Sequence, residues 1–242
     1  MAPVRKVLLV LLVGAAIAAG CESESSTPSA TSSPTPERAE PDCPNQDSVT
    51  NGARSPGSLS GDVDGDGSDD RVFLAVDADA PEGCKAFLVA ETEGGALAEE
   101  ISDPDISFDL GLPTLEGITQ VDARPGAEVV VRILSGASTL FVGLFTVNEG
   151  ELERIEIEGD TQYGNLFPSG GSVGHLEGSD CIEDGIVVSL AVPKGKGYDV
   201  TRTFYSLTAT RAEPTGSATE FVRPRSLNRY PEFAGVPFST CG

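Results

Sequence analysis

Seven runs of β-branched, aliphatic and aromatic residues constrain the fold of this chain more than any other feature of its sequence. Clusters of Gly, Pro, Asp and Ser separate the runs, and none has the 3.6-residue apolar period of an amphipathic helix. They cover residues 71–77, 85–92, 127–134, 139–147, 151–158, 185–192 and 198–210. The sequence therefore predicts an all-β fold. The half-apolar alternation of residues 151–158 predicts that this run is an edge strand.

A regular spacing relates three of these runs to one another. Asp70, Glu128 and Gly185 each stand immediately before the apolar stretch of a run, RVFLAV, VVVRIL and IVVSLA respectively, and they lie 58 and 57 residues apart. A loop and a second, longer run follow each of them. Chance recurrence of hairpins of similar size is the alternative explanation. One spacing shared by three copies favours about three antiparallel β repeat units that share a core.

The segment GDVDGDGSDD, residues 61–70, concentrates carboxylates just before the first of these strands. Calcium takes six to eight oxygen ligands, and a tight loop can supply them from alternate positions. The predicted ligands of one Ca²⁺ are the carboxylates of Asp62, Asp64, Asp66 and Asp70 and the main-chain carbonyl of Ser68. An EF-hand is excluded because position 12 is Phe73 and no helix flanks the loop. A solvated Asp/Gly turn is the alternative, but carboxylates this close repel one another without a counter-ion.

The pattern D-x-D-x-D-G-x-x-D followed by an apolar strand resembles the FG-GAP or VCBS repeat of integrin-α-type β-propellers. The resemblance implies that the loop binds calcium within a blade and that the units form a propeller-like stack. In the second unit, residues 120–128 (QVDARPGAE) keep Asp122 and Glu128, but Arg124 replaces a third acidic position. Residues 177–185 (EGSDCIEDG) keep no usable pattern. Three units are fewer than the four to eight blades of a closed propeller, so a β-sandwich is the alternative.

The N-terminal residues predict export and lipid attachment. Two basic residues precede a short apolar run, so residues 1–20 read as a signal peptide. The sequence Ala-Ala-Gly-Cys ending at Cys21 resembles a bacterial lipobox, which implies a lipid on that cysteine; an ordinary signal peptide is the alternative. Residues 22–42 contain no Val, Leu, Ile or aromatic residue and predict a disordered tether. We expect residues 43–242 to form the domain, on the extracytoplasmic face of the cell membrane.

The remaining four cysteines predict two disulfides in this exported chain. A zinc site is disfavoured because the sequence has no C-x-x-C pair and one histidine. Three connectivities are open, and we favour Cys43 with Cys84 and Cys181 with Cys241, because each bond would then fasten one end of the domain to its nearest unit.

The charge balance limits the classes of partner. The chain has 16 Lys and Arg against 38 Asp and Glu, a formal net charge of −22. Such a charge repels nucleic acid and anionic lipid, so we expect neither as a partner beyond the lipid anchor itself. A protein or glycan ligand at the cell surface fits the composition better.

Catalytic motifs are weak in this sequence. His175 is the single histidine, and Ser169 or Ser172 would be its candidate nucleophile, but no nucleophile elbow surrounds them. We therefore favour a non-catalytic binding or envelope role, with an envelope hydrolase as the alternative. A deep pocket that joins His175 to acidic residues would favour the hydrolase, and an open surface would favour the binding module.

Overall fold

A computed structural model describes residues 54–76, 85–101, 113–159, 163–183 and 185–242, and these residues form two sheets that are antiparallel except for one short pair. In the first sheet the order is β1 (Arg54–Gly61), β2 (Asp70–Val76), β3 (Ala86–Thr92) and β4 (Gly95–Glu100). The second sheet contains β5 (Thr114–Thr119), β6 (Glu128–Ser135), β7 (Thr139–Asn148), β8 (Glu151–Arg154), β9 (Glu156–Ile157), β10 (Phe167–Ser172), β11 (His175–Ile182), β12 (Gly185–Lys194), β13 (Gly197–Thr208) and β14 (Arg211–Val222). The all-β prediction is confirmed.

The strand order of the second sheet is β5-β6-β7-β10-β11-β12-β13-β14-β9, and β8 pairs with β7. All of these pairs are antiparallel except the short parallel pair of β9 with β14. The strand β10 pairs with β7 on one side and with β11 on the other, so it joins the second and third predicted units into one sheet. Two 3₁₀ segments follow the last strand, Pro224–Arg229 and Pro231–Phe233. Within the described part of the chain, no helix has the length and apolar character needed to cross a membrane.

Each of the seven predicted runs contains a strand. Residues 151–158 divide into β8 and β9, which pair with β7 and β14 respectively. β9 ends the strand order, as expected for an edge. The strands β1, β5, β10, β11 and β14 were not predicted, because their sequences are polar or rich in Gly and Pro.

The apolar residues of β6 explain how the two sheets are joined. Val129, Val131 and Ile133 pack with Val72, Leu74 and Leu88 of the first sheet in one core cluster. Val130, between them in sequence, packs instead with Leu144, Phe167 and Ile186 in a second cluster. A strand covered on both faces reads as a continuous apolar run, and VVVRIL has this pattern apart from the half-buried Arg132. The packing of the sheets is consistent with the sandwich alternative.

The C-terminal segment is fastened to the second sheet. Cys181 on β11 and Cys241 form a disulfide with 5.2 Å between their Cα atoms, as predicted. The ring of Phe238 meets Phe167 edge to face with 5.4 Å between the centroids, inside the second core cluster. Glu232 is fully buried and accepts hydrogen bonds from Ser189 Oγ and Arg202 Nε.

Several predictions from the sequence fall outside the described residues. These are the signal peptide of residues 1–20, the lipid on Cys21, the tether of residues 22–42, the start of the domain at residue 43, and the bond of Cys43 with Cys84.

Candidate functional site

Three aspartates of the acidic loop lie close enough together to hold a metal ion. One carboxylate oxygen from each of Asp62, Asp64 and Asp70 lies within 4.8 Å of the others. Asp62 follows β1 directly and Asp70 begins β2, where Gly61 and Asp70 are register partners. The antiparallel pairing of two strands thus brings the ends of the loop together. Three convergent carboxylates offer the hard oxygen ligands that divalent cations prefer.

Hydrogen bonds from the main chain hold the loop in shape. Asp62 Oδ1 accepts the Gly65 N–H at 2.7 Å, and its Oδ2 accepts the Gly67 N–H at 3.1 Å. Asp64 Oδ1 accepts the Asp66 N–H at 3.1 Å. Gly65 and Gly67 have positive φ angles of 79° and 89°, which side-chain-bearing residues rarely adopt. Each carboxylate has about four acceptor positions, so these bonds leave capacity for a cation.

Asp70 is the buried member of the triad, with 2 % of its surface exposed. Its Oδ2 accepts the Val63 N–H at 2.9 Å and the Asp64 N–H at 3.3 Å. Burial raises the pKa of Asp70, the nearby carboxylates of Asp64 and Asp66 raise it further, and the two N–H groups oppose the rise. A bound cation would favour the ionised form, so cation binding and the ionisation of Asp70 are coupled.

Asp66, a predicted ligand, lies outside the triad. Its side chain is exposed and its Oδ1 accepts the Ser68 N–H at 2.7 Å, so its carboxylate closes the turn of its own loop. The Ser68 hydroxyl lies 3.5 Å from Glu93 Oε1. Asp69 is exposed and contacts Ser60 Oγ at 3.5 Å. Three of the four predicted carboxylate ligands therefore converge.

The loop between β5 and β6 has the same hydrogen-bond plan as the acidic loop. Glu128 Oε2 accepts the Val121 N–H at 2.8 Å, as Asp70 accepts from Val63. Asp122 Oδ1 accepts the Arg124 N–H at 2.8 Å, as Asp64 accepts from Asp66. Asp122 and Glu128 thus accept main-chain hydrogen bonds equivalent to those that Asp64 and Asp70 accept.

The charge arrangement of this second loop is different. Arg124 Nε lies 2.7 Å from Asp122 Oδ2, and its Nη2 lies 3.7 Å from Glu128 Oε1. The guanidinium therefore supplies positive charge to the two acidic groups. Gln120 Nε2 donates to three main-chain carbonyls, those of Asp122, Arg124 and Gly126, at 2.8, 2.7 and 3.1 Å. In the second loop, side chains therefore contact Asp122 and three main-chain carbonyls, whereas the buried Glu128 Oε1 accepts no hydrogen bond from the described residues.

The two loops touch through their main chains. The Ala127 N–H donates to the Asp62 carbonyl at 2.8 Å. A Cβ atom added at Gly65 would lie 2.7 Å from Pro125 Cβ, and one added at Gly126 would lie 2.7 Å from the Val63 carbonyl oxygen. Glycine is required at both positions because the backbones approach so closely. The acidic loop is consequently part of the junction between the two sheets.

His175, the single histidine of the sequence, begins β11. His175 Nδ1 lies 3.3 Å from Ser172 Oγ, and His175 Nε2 lies 3.4 Å from Glu177 Oε2. Ser172 Oγ also accepts the Gly174 N–H at 3.2 Å, which is a local bond of the hairpin turn. Ser169 is fully buried on β10. The structure brings Ser172, not Ser169, to the histidine.

An open cavity of about 480 Å³ lies beside His175 on one face of the second sheet. Its lining includes Glu177, which the sequence did not single out because β11 was not predicted. Tyr163 donates its hydroxyl to Glu177 Oε1 at 2.7 Å, and Thr139 donates to Oε2 at 3.3 Å. A buried carboxylate at an apolar cavity is a candidate recognition group.

Comparisons with known proteins leave these two sites to be interpreted from their own chemistry. No family model, no curated protein and no solved structure matches the chain.

Proposed function

We propose that this chain is a membrane-anchored surface lipoprotein whose β-domain binds one Ca²⁺ and has a non-catalytic binding or envelope role. The observation that carries the proposal is the convergence of the carboxylates of Asp62, Asp64 and Asp70 within 4.8 Å. The export and lipid signals before residue 43 support a setting outside the cytoplasm, where calcium is abundant.

The chemistry of the loop favours calcium over other ions. The candidate ligands are carboxylates, which suit hard cations, whereas zinc and copper prefer nitrogen and sulfur. The loop is short and glycine-containing, and calcium tolerates variable geometry. Magnesium requires near-ideal octahedral geometry and sheds its water reluctantly, so a loop that wraps the ion suits it poorly.

The position of the loop supports a stabilising role. Asp70 begins the buried strand β2, and the Asp62 carbonyl bonds the main chain of the second loop. An ion held by both residues would fix the start of the first sheet against the second. Because the ion would bind only the folded loop, it would raise the free energy of unfolding by mass action.

Calcium should raise the melting temperature of the purified full chain. We assume a dissociation constant in the range of extracellular calcium sites. At a calcium concentration ten times that constant, the free energy of unfolding should rise by about 1.4 kcal/mol. That gain corresponds to roughly 3–6 °C for a domain of this size. Differential scanning calorimetry with stepwise calcium, then with chelator, measures this response, and magnesium should give a smaller one.

Two variants with the same chemical change separate the site from general charge effects. Asp64→Asn removes one charge from the triad but keeps an oxygen that can accept the Asp66 N–H. Asp69→Asn removes one charge from an exposed position outside the triad. The first should lose most of the calcium response and the second should keep it. If calorimetry detects no heat of binding at millimolar calcium and the melting curve is unchanged, the loop does not bind calcium and is only an acidic turn.

Lipid attachment is tested at Cys21. The change Cys21→Ser removes the thiol that the lipobox resemblance marks for acylation, so the variant should leave the membrane fraction or remain unprocessed. Fractionation and metabolic labelling with a fatty acid measure both outcomes. A variant that is still processed and labelled would contradict the lipoprotein assignment. The hydrolase alternative, whose active site the sequence does not identify, stays a prediction; His175 contacts Ser172 and Glu177.

A further inference from the structure

The cavity beside His175 has the form of a small-molecule site. Its volume of about 480 Å³ lies within the range of ligand pockets, roughly 300–1,000 Å³. Leu166, Val188, Leu190, Val192 and Tyr205 provide much of its lining. Leu190 and Val192 are 40 % and 45 % exposed, so the cavity keeps apolar surface in contact with water. An apolar body of a ligand would cover that surface favourably.

Glu177 is the one acidic residue among the described residues that line the cavity. Glu177 lies in the lining and only 5 % of its surface is exposed. Two hydroxyl groups, from Tyr163 and Thr139, donate to its two oxygens. These bonds fix the position of the carboxylate without neutralising it, and a carboxylate has about four acceptor positions.

The cationic groups around Glu177 are few. His175 Nε2, at 3.4 Å, is its partner among the described ion pairs. No Lys or Arg is found among the described residues that line the cavity. A negative group at an apolar cavity attracts a positive ligand and repels an anionic one, and the net charge of −22 acts in the same direction.

We propose that this cavity binds a small aliphatic ammonium ion, with its ammonium group at Glu177 and its alkyl chain against Leu190 and Val192. The assignment follows from charge complementarity combined with apolar lining. It is independent of the calcium site, because none of the residues of the triad lines the cavity.

The probes for the test are n-butyl-, n-hexyl- and n-octylammonium. Octanoate is the control with the opposite charge, and hexanol is the control without charge. Titration calorimetry with the full chain in detergent-free buffer should show ammonium binding. Burial of each added methylene contributes about 0.8 kcal/mol to the free energy of binding, so affinity should rise about fourfold per methylene until the cavity is filled. Octanoate should bind at least tenfold more weakly than octylammonium. Equal binding of both, or binding of neither, would overturn the proposal.

Two variants locate the ligand. Glu177→Gln keeps the shape and a hydrogen-bond acceptor but removes the charge, so octylammonium affinity should fall at least tenfold while hexanol binding is unchanged. Leu190 is the register partner of Glu177 across β11 and β12. Leu190→Lys therefore places an ammonium group of the protein itself beside that carboxylate, and it should compete with the ligand. The control Val173→Lys adds the same charge at a fully exposed position of the hairpin turn that precedes β11. If Leu190→Lys binds octylammonium as tightly as Val173→Lys does, the cavity is not the site.

Discussion

Replacing Cys181 and Cys241 together by serine should lower the free energy of unfolding by about 4 kcal/mol. The bond closes a loop across a sequence separation of 60 residues, and that figure follows from the chain entropy that such a cross-link removes from the unfolded state. The melting temperature should fall by roughly 10 °C. Chemical denaturation monitored by circular dichroism measures the loss.

Contacts near the bond explain why the folded state should survive its removal. The Phe238 N–H donates to the Ser179 carbonyl at 3.1 Å, and the Thr240 N–H donates to Asp180 Oδ1 at 2.9 Å. These bonds keep the C-terminal segment on β11 without the disulfide. A loss below about 1 kcal/mol would contradict this prediction, because it would mean that the cross-link removes little chain entropy from the unfolded state.

Reductant separates this bond from the other predicted one. With Cys21 acylated, reduction of the double serine variant can act only on Cys43 and Cys84, so any further loss of stability in that variant reports their predicted bond. Thiol titration of the unfolded, unreduced wild-type chain should find no free thiol among the four cysteines. A stoichiometric thiol would contradict the second pairing.

The second large effect concerns pH and Glu128, which is 1 % exposed. Burial raises its pKa from 4.5 to about 7, the Asp122 carboxylate adds to the rise, and the Val121 N–H and the Arg124 guanidinium oppose it. Because the folded pKa lies above the unfolded one, the folded chain binds the extra proton between these values. Stability from this group is therefore full below pH 4.5 and is lost as pH rises through about 7.

Glu128→Gln should remove that dependence. The amide does not titrate, and its oxygen can still accept the Val121 N–H. In the wild type, the free energy of unfolding should fall by up to about 3 kcal/mol through this group as pH rises from 4.5 to 7, and this fall should be absent in the variant. Denaturant midpoints at several pH values, with chelator present throughout, measure the difference.

Glu99 provides the comparison for this experiment. Its pKa is also raised to about 7, mainly by burial, so it contributes a slope of the same sign over the same range. Glu99→Gln should flatten the wild-type profile in part, and the double variant should flatten it further. Parallel profiles for wild type and Glu128→Gln would mean that Arg124 keeps Glu128 ionised throughout.

The strands that the sequence predicts are those whose residues are apolar because the strand is buried. This is true of β2, β6 and β12, which are largely buried on one face or on both. Their positions follow from composition alone. β11 carries Glu, Gly, Ser and Asp, and it is buried because the C-terminal segment packs on it. A Cβ atom at Gly178 would lie 1.8 Å from the Glu232 carbonyl oxygen. Gly178 and Glu232 are 54 residues apart, so the local sequence of β11 does not indicate that this contact buries the strand.

The same distinction applies to the candidate sites. The spacing of Asp62, Asp64 and Asp70 is local, so the loop could be predicted as a unit. The carboxylate of Asp66 could either join the other three or accept a main-chain N–H of its own loop, and in the structure it accepts the Ser68 N–H. The spacing of the aspartates does not determine which of these occurs. The cavity could not be predicted, since Tyr163, His175 and Leu190 come from three separate segments that only the sheet brings together.

The guanidinium in the second loop gives this chain an internal reference. Arg124 is part of the chain and is present whatever the composition of the medium, whereas under our proposal the acidic loop would take its positive charge from an ion in the medium. When external calcium falls, we therefore expect the four-stranded sheet to loosen first while the order of the loop between β5 and β6 persists. Hydrogen exchange of the amides of Val63 and Val121, which occupy equivalent positions, would read the two halves side by side in one sample. If the acidic loop binds calcium as proposed, one molecule would contain both a loop that responds to external calcium and an equivalent loop that does not.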